Sequence, residues 1–231
     1  MRSAAGPLWL FDLDNTLHNA SHAIFPAINA NMNAFIAQAL GNAAGPADPE
    51  IVNAIRIDYW QRYGATLLGM VKHHAVRPAD FLDAAHRFDD VGAMIRAERG
   101  LAKLLKRLPG RKILLTNAPY QYSRAVLRHL GLHRHFAAHI PIESMRVHGK
   151  LRPKPSSLML RQLMARQRVR ASRCILVEDT VATLKTARAL GMRTAWVTQY
   201  LNPSKPSARA VYIDVKVKSV RQLPAQLHRL R

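Results

Sequence analysis

Apolar residues recur along this chain in two rhythms, and the change of rhythm divides it. LWLFDL (8–13) reads as a short buried strand that ends in acids. From 27 to 40 the period is helical, with Ile28, Met32, Phe35, Ile36 and Leu40 at helical spacing. A loop rich in Gly, Pro and Ala covers 41–49. A second helix is predicted over 50–62, with Ile51, Val52, Ile55 and Tyr59 on one face. Shorter helices are predicted over 66–75 and 78–88, the latter opened by Pro78. Residues 18–95 are thus expected to be all-helical.

Beyond that point helical and extended runs alternate. Helices are predicted over 95–108, 120–130, 155–167 and 180–190, the second and last stopped by Gly131 and Gly191. Strands are predicted over 112–116, 138–142, 174–177, 194–197 and 210–215. Short, nearly continuous apolar strands alternating with helices predict a mostly parallel α/β sheet of Rossmann-like type. The expected organisation is a core of 1–17 with 96–231, and an inserted helical domain over 18–95.

Composition adds exclusions. The 231 residues are 48% hydrophobic and 21% charged, a globular balance. One cysteine, Cys174, allows no disulfide framework within the chain and fits a reducing compartment. The longest uncharged stretch, 19–47, is studded with Asn, His, Gln and Ser, so no membrane span is expected. The apolar N-terminal run is broken by Asp12 and Asp14, with no cleavage site after it, which argues against a signal peptide. A cytoplasmic protein is the expectation.

Charge sharpens the division. Residues 18–95 carry five bases and seven acids, whereas 96–231 carry 29 bases and five acids, within a total net charge of +21. Such an excess is compatible with a compositional bias toward Arg, or with a field that draws in phosphate-bearing ligands. The bases do not interleave with the aromatics a single-strand binder needs, and no zinc-finger or RRM signature is present. Nucleic acid is therefore an unfavoured partner.

The chemistry lies at strand ends. Asp12 and Asp14 follow the first strand, Thr116 and Asn117 the second, and Glu178 and Asp179 the strand over 174–177; Lys154 precedes a helix. In open α/β sheets ligands bind beyond the carboxyl ends of the strands, so the fold gathers these groups into one crevice. Carboxylates crowded together repel unless they protonate or share a cation, and hard oxygen ligands point to Mg²⁺. Each feature alone is an ordinary turn or helix cap. Their order and common placement make the set a site.

FDLDNTL (11–17), LLTNA (114–118), RPKP (152–155) and LVEDT (176–180) resemble, in order and spacing, the four motifs of the haloacid dehalogenase (HAD) superfamily. The helical insert occupies the position of that superfamily's C1-type cap. RYGATLLGM (62–70), DFLDAAHRFD (80–89), TNAPYQYSRAVLRHLGL (116–132) and EDTVATLKTARALGMRT (178–194) further resemble its pyrimidine 5′-nucleotidase subgroup.

The resemblance implies a phosphomonoesterase for a small phosphorylated substrate, with a pyrimidine nucleoside 5′-monophosphate favoured. Phosphoglycolate, a sugar phosphate or a phosphomutase reaction are the alternatives, and a polyanion-binding protein is the non-enzyme one. Asp12 is implied as nucleophile and Asp14 as general acid and base. Thr116, Asn117 and Lys154 are implied at the phosphoryl group. Mg²⁺ is implied on the Asp12 carboxylate, the Asp14 carbonyl and Asp179, with Glu178 a fourth ligand or a group behind it. An acid at Asp14 is absent from the superfamily's dehalogenases, whose halide leaves without a proton.

Lys150 competes with Lys154 for the lysine role; Lys154 is preferred because Pro155 can open a helix and hold it at the site. Thr183 stands where many relatives carry Asn. Among the histidines, His73 and His74 point about 100° apart on a helix and are expected at the surface. His129, His133 and His135 are likewise read as surface. His86, Asp89 and Tyr63 are weak candidates for a nucleotide pocket. Cys174 is expected in the core. Hinges between the two bodies are expected near 17–22 and 92–97, with Gly92 as pivot.

Overall fold

A computed structural model describes residues 6–201 and 211–230. The chain divides into two compact units: residues up to Ala20 together with Ile95 onward, and Ser21–Met94.

The first unit opens with strand β1 (Leu8–Phe11), all four side chains buried. It stops before the predicted end at 13. The Asp12 N–H still donates to the Val177 carbonyl (3.0 Å), but the Leu13 carbonyl then accepts from Thr16 and Leu17, and Asn15 takes a left-handed φ of 57°. The acids therefore ride on a turn off the sheet.

The unit Ser21–Met94 consists of helices α1 (Ile24–Leu40), α2 (Pro49–Tyr63), α3 (Thr66–His74), α4 (Pro78–Ala85) and α5 (Val91–Met94). Helix α1 starts three residues earlier than its apolar period suggests, because Pro26 fits a first turn. Asp48 caps α2, its carboxylate accepting the Glu50 N–H (2.7 Å). Phe35 of α1 meets Phe81 of α4 edge-on, with ring centroids 5.3 Å apart. Gly69 of α3 admits Tyr59 of α2 so closely that a Cβ there would lie 2.2 Å from the tyrosine Cγ.

The α/β unit resumes with α6 (Leu101–Arg107), β2 (Arg111–Leu115), α7 (Tyr120–His129), β3 (Ala138–Ile140), the hairpin β4–β5 (Arg146–Val147, Lys150–Leu151), α8 (Ser157–Arg166), β6 (Cys174–Glu178), α9 (Val181–Ala189), β7 (Arg193–Val197) and β8 (Val215–Val217). Six strands form one sheet in the order β3-β2-β1-β6-β7-β8, and every pairing is parallel. β1 lies in the middle, with β2 and β6 on its two sides. Burial of Trp9, Leu10, Phe11, Leu114, Leu176 and Val177 at 2% exposure or less contributes roughly 1.5–3 kcal/mol per side chain. The acids thus leave the sheet from its buried centre.

Three predicted boundaries move. The helix over 95–108 reduces to α6, because Gly100 adopts a left-handed φ of 83°. The helix over 155–167 begins at Ser157, since the Ser156 hydroxyl caps it by accepting the Met159 N–H (3.2 Å). Pro155 is therefore outside the helix, joined to Lys154 by a cis peptide. The last strand lies at 215–217 rather than 210–215: the Asp214 carboxylate accepts both the N–H and the hydroxyl of Thr194, which fixes 211–214 as a turn. Ala210 lies outside the described residues. No helix among the described residues is long and apolar enough to cross a membrane.

Candidate active site

Three adjacent strand ends supply the site. The register pairs Phe11 with Leu114 on one side and Val177 on the other, so the residues after β1, β2 and β6 emerge side by side. Asp12 is 5% exposed. Its Oδ1 accepts from Lys154 Nζ (2.6 Å) and its Oδ2 from the Thr16 hydroxyl (3.1 Å). Lys154 Nζ also donates to Glu178 Oε2 (2.7 Å). The other Glu178 oxygen accepts the N–H groups of Asp179 (3.2 Å) and Thr180 (3.1 Å), at the start of α9. Asp179 is half-buried, and its carbonyl accepts the Trp196 indole N–H (2.9 Å).

The electrostatics follow from these contacts. Burial, with the Glu178 charge, pushes Asp12 up to about 7 against the pull of Lys154. Burial and the charges of Glu178 and Asp12 push Asp179 up to about 10. Burial disfavours a charged Lys154, but Asp12 and Glu178 outweigh it and hold the lysine above its ordinary value. Burial would also raise Glu178, yet Lys154 and hydrogen bonds bring it below the ordinary range. Three carboxyl groups around one ammonium thus do not all ionise readily: Asp12 and Asp179 hold protons unless a further cation shares the site. Asp12, Glu178 and Asp179 each offer an oxygen within 4.8 Å of the others, the one such group of three or more among the described residues.

Thr116 is buried, its hydroxyl oxygen accepting the Ala118 N–H (3.1 Å), which leaves its proton to donate elsewhere. Asn117 acts through its side chain. Its Nδ2 donates to the Lys154 carbonyl and its Oδ1 accepts the Lys154 N–H, both at 2.9 Å. This reciprocal pair, rather than a helix opened by Pro155, holds Lys154 in place. Lys150 lies exposed on the β4–β5 hairpin, away from this network.

Two residues not anticipated from sequence join Asp14. Its Oδ1 accepts the Tyr122 hydroxyl (2.6 Å) and faces His18 Nε2 (2.8 Å). His18 is fully buried and Tyr122 is 4% exposed. His18 stands four residues beyond Asp14, directly after the first motif, and Tyr122 is the third residue of α7. An acid followed four residues later by a histidine was the available signal.

The remaining candidates have contacts of their own. His73 and His74 bond Tyr63 (2.6 Å) and Tyr59 (2.7 Å) respectively, and share no ion-binding arrangement. His86 Nδ1, just past the end of α4, lies 3.0 Å from the Leu82 carbonyl of that helix, and Asp89 is exposed. His129 and His133 are exposed and His135 half-buried. Cys174 is buried and its thiol is raised to about 11 by burial, so it is inert packing. Two hollows of about 200 and 230 Å³ open along the edge strand β3, and no carboxylate lines either.

A parallel sheet with acids at its central strand end, a buried lysine and a second acidic pair defines a class, and the family match agrees. The family model for haloacid dehalogenase-like hydrolases matches residues 8–191, and the chain belongs to that family. Similar solved structures include a HAD phosphatase from Thermococcus onnurineus, at 16% identity and a TM-score of 0.64, covering 96% of this chain and 97% of that one. A 2-haloacid dehalogenase from Pseudomonas syringae pv. Tomato DC3000 shares 20% identity and a TM-score of 0.59, over 98% and 100% of the two chains. An L-2-haloacid dehalogenase from Xanthobacter autotrophicus, with chloropropionic acid covalently bound, shares 15% identity and a TM-score of 0.59, over 96% and 98%. At these identities the likeness establishes the fold alone.

Proposed function

We propose that this HAD-family hydrolase is a phosphomonoesterase that works through an aspartyl-phosphate on Asp12. The observation that carries the reading is a second acid, Asp14, two residues beyond the nucleophile and hydrogen-bonded in its own right. A phosphate ester's alkoxide leaving group needs a proton and a halide does not, so an acid here favours phosphoester over haloacid chemistry. In the first step a carboxylate oxygen of Asp12 bonds to phosphorus while the bond to the leaving oxygen breaks, and Asp14 passes its proton to that oxygen. In the second, water attacks phosphorus, its proton goes to Asp14, and the Asp12 carboxylate is released. Lys154 offsets charge on Asp12 and on the phosphoryl oxygens, held for that by Asn117. The Thr116 hydroxyl donates to a phosphoryl oxygen.

The donor set suits Mg²⁺: it is all oxygen, buried or half-buried, and has more acids than Lys154 alone can keep ionised. The Asp12 carboxylate, the Asp14 carbonyl and Asp179 would hold the ion, with Glu178 behind them bracing Lys154. When bound, Mg²⁺ supplies positive charge to the phosphoryl oxygens and relieves the carboxylate repulsion.

A pyrimidine nucleoside 5′-monophosphate is the favoured substrate, supported by the resemblance of 62–70, 80–89 and 116–132 to that nucleotidase subgroup. The unit Ser21–Met94 is proposed as a C1-type cap that governs this choice. The test is phosphate release with Mg²⁺ from UMP, CMP, dUMP, AMP, GMP, phosphoglycolate, glucose phosphates and p-nitrophenyl phosphate, beside Asp12→Asn. Selective turnover of the pyrimidine esters, lost in the variant and with EDTA, is expected. Turnover of another ester keeps the chemistry and overturns the substrate; failure on every ester by folded protein overturns the phosphatase reading.

A further inference from the structure

We infer that Tyr122 and His18 are positioning residues that fix which oxygen of Asp14 carries the catalytic proton. The inference rests on the phosphomonoesterase reading and adds to it a division of labour within one carboxyl group.

Both contacts converge on the same atom, Oδ1 of Asp14: the Tyr122 hydroxyl at 2.6 Å and His18 Nε2 at 2.8 Å. The Tyr122 hydroxyl is the donor in its contact, since a carboxylate oxygen has only lone pairs to offer. The His18 tautomer follows from its surroundings. Nδ1 is buried with no hydrogen-bond partner. A proton placed there would leave a buried N–H unsatisfied and turn the Nε2 lone pair on a carboxyl oxygen. With the proton on Nε2, His18 donates to Asp14 and only a lone pair is left without a partner.

An oxygen that accepts two donors at these distances is a poor place for a third proton. The proton given to the leaving group therefore resides on Oδ2, the oxygen these two donors do not take. The same two bonds stop the carboxyl group from turning and exchanging its oxygens. The three side chains come from the turn after β1 and from α7, all in the α/β unit, with Tyr122 and His18 buried. The acid is thus aimed from behind by groups that do not touch the reacting atoms.

Such a role has a signature that packing lacks. It matters when the leaving group needs a proton and matters little when it does not. Single-turnover rates of Asp12 phosphorylation should be compared for wild type and Tyr122→Phe, using p-nitrophenyl phosphate and an alkyl ester the enzyme turns over, such as UMP. With the alkyl ester the first turnover should slow roughly tenfold, a fraction of what general acid catalysis supplies, with KM within about twofold. With p-nitrophenyl phosphate the first turnover should change far less. A burst of nitrophenolate should then precede a slowed steady state, because Asp14 must still activate water.

His18→Leu should repeat this pattern. His18→Gln, whose amide nitrogen can replace Nε2–H, should recover most of the alkyl-ester rate. An equal loss on both esters, no loss on either, or no rescue by Gln relative to Leu overturns the inference. The phosphatase reading is tested separately by wild type and Asp12→Asn; if wild type releases phosphate from neither ester, that reading falls and this inference with it.

Discussion

In the α/β unit, polar side chains of the site are held by buried partners drawn from distant parts of the chain. Lys154 reaches Asp12 across 142 positions and is pinned by Asn117 across 37. In the unit Ser21–Met94, the tyrosine–histidine pairs are shorter in range and nearer solvent: Tyr59 with His74 and Tyr63 with His73, on consecutive helices. The charge differs as sharply, 29 bases to five acids in 96–231 against five to seven in 18–95. A parallel sheet can aim side chains because its strand ends are fixed by register on both sides. Packed helices with exposed Ile51, Ile57 and Trp60 fix far less, which would suit the selecting role proposed for this unit.

The largest effect should come from Lys154→Met. It leaves Asp12, Glu178 and Asp179 without their ammonium, and breaking a buried pair from one side costs about 3–5 kcal/mol. Phosphate release should fall by about 10³-fold or more, and urea unfolding of metal-free protein should shift to lower denaturant. Retained activity would mean that Lys150 or another base supplies the charge.

Next in size is the dependence on metal and pH. Without a cation, Asp12 is raised to about 7 and Asp179 to about 10, from an ordinary 3.8. The folded state then binds protons more tightly than the unfolded one. The stability this confers is present below about pH 4 and is lost as pH rises through 7 and toward 10. Glu178 works the other way, but its lowered value places its loss of stability below 4.5, outside this window. The Tm of metal-free protein should therefore fall by about 5 °C between pH 5 and 8, and millimolar Mg²⁺ should flatten that slope. A Tm indifferent to both would remove the argument for a cation at this cluster.

These acids were legible before the fold was. A run such as FDLDNTL ends a buried strand in carboxylates, and parallel β/α alternation sends all such ends to one edge. The parallel sheet followed from continuous apolar runs such as CILV, whereas the strand order did not. Less legible were the means of support. Pro155 suggested a helix start, but the Ser156 cap takes that position and Asn117 does the holding, a contact across 37 residues that no local pattern encodes. Tyr122 and His18 were missed because a buried aromatic at helical spacing reads as core, and it is core except for one oxygen. The last strand was misplaced because AVYIDV looks more extended than VKV, while the bonds from Thr194 to Asp214 decide the matter.

The helical unit offers a smaller test. Ala in place of a helical Gly normally gains about 1 kcal/mol. At Gly69 the added Cβ meets Tyr59 Cγ at 2.2 Å and Cβ at 2.5 Å, near the base of the side chain where it cannot swing aside. Gly69→Ala should thus destabilise by about 1–3 kcal/mol. Hydrogen exchange should quicken in α2 and α3, with protection in β1, β2 and β6 unchanged. Loss of protection in the sheet as well would show that the two units unfold as one.

The smallest effects compare the two units most directly, through one helix cap in each. The Asp48 carboxylate caps α2 and the Ser156 hydroxyl caps α8, each accepting one backbone N–H. Replacing either with Ala should cost about 1 kcal/mol of helix stability. The consequences should differ. Asp48→Ala should loosen amide exchange in α2 and leave p-nitrophenyl phosphate turnover unchanged. Ser156→Ala frees the first turn of α8 two residues after Lys154, so turnover should fall a few-fold at similar stability. Equal activity in both variants would mean that the bonds from Asn117 suffice to hold Lys154, and that the α/β unit tolerates local loosening as well as the helical one does.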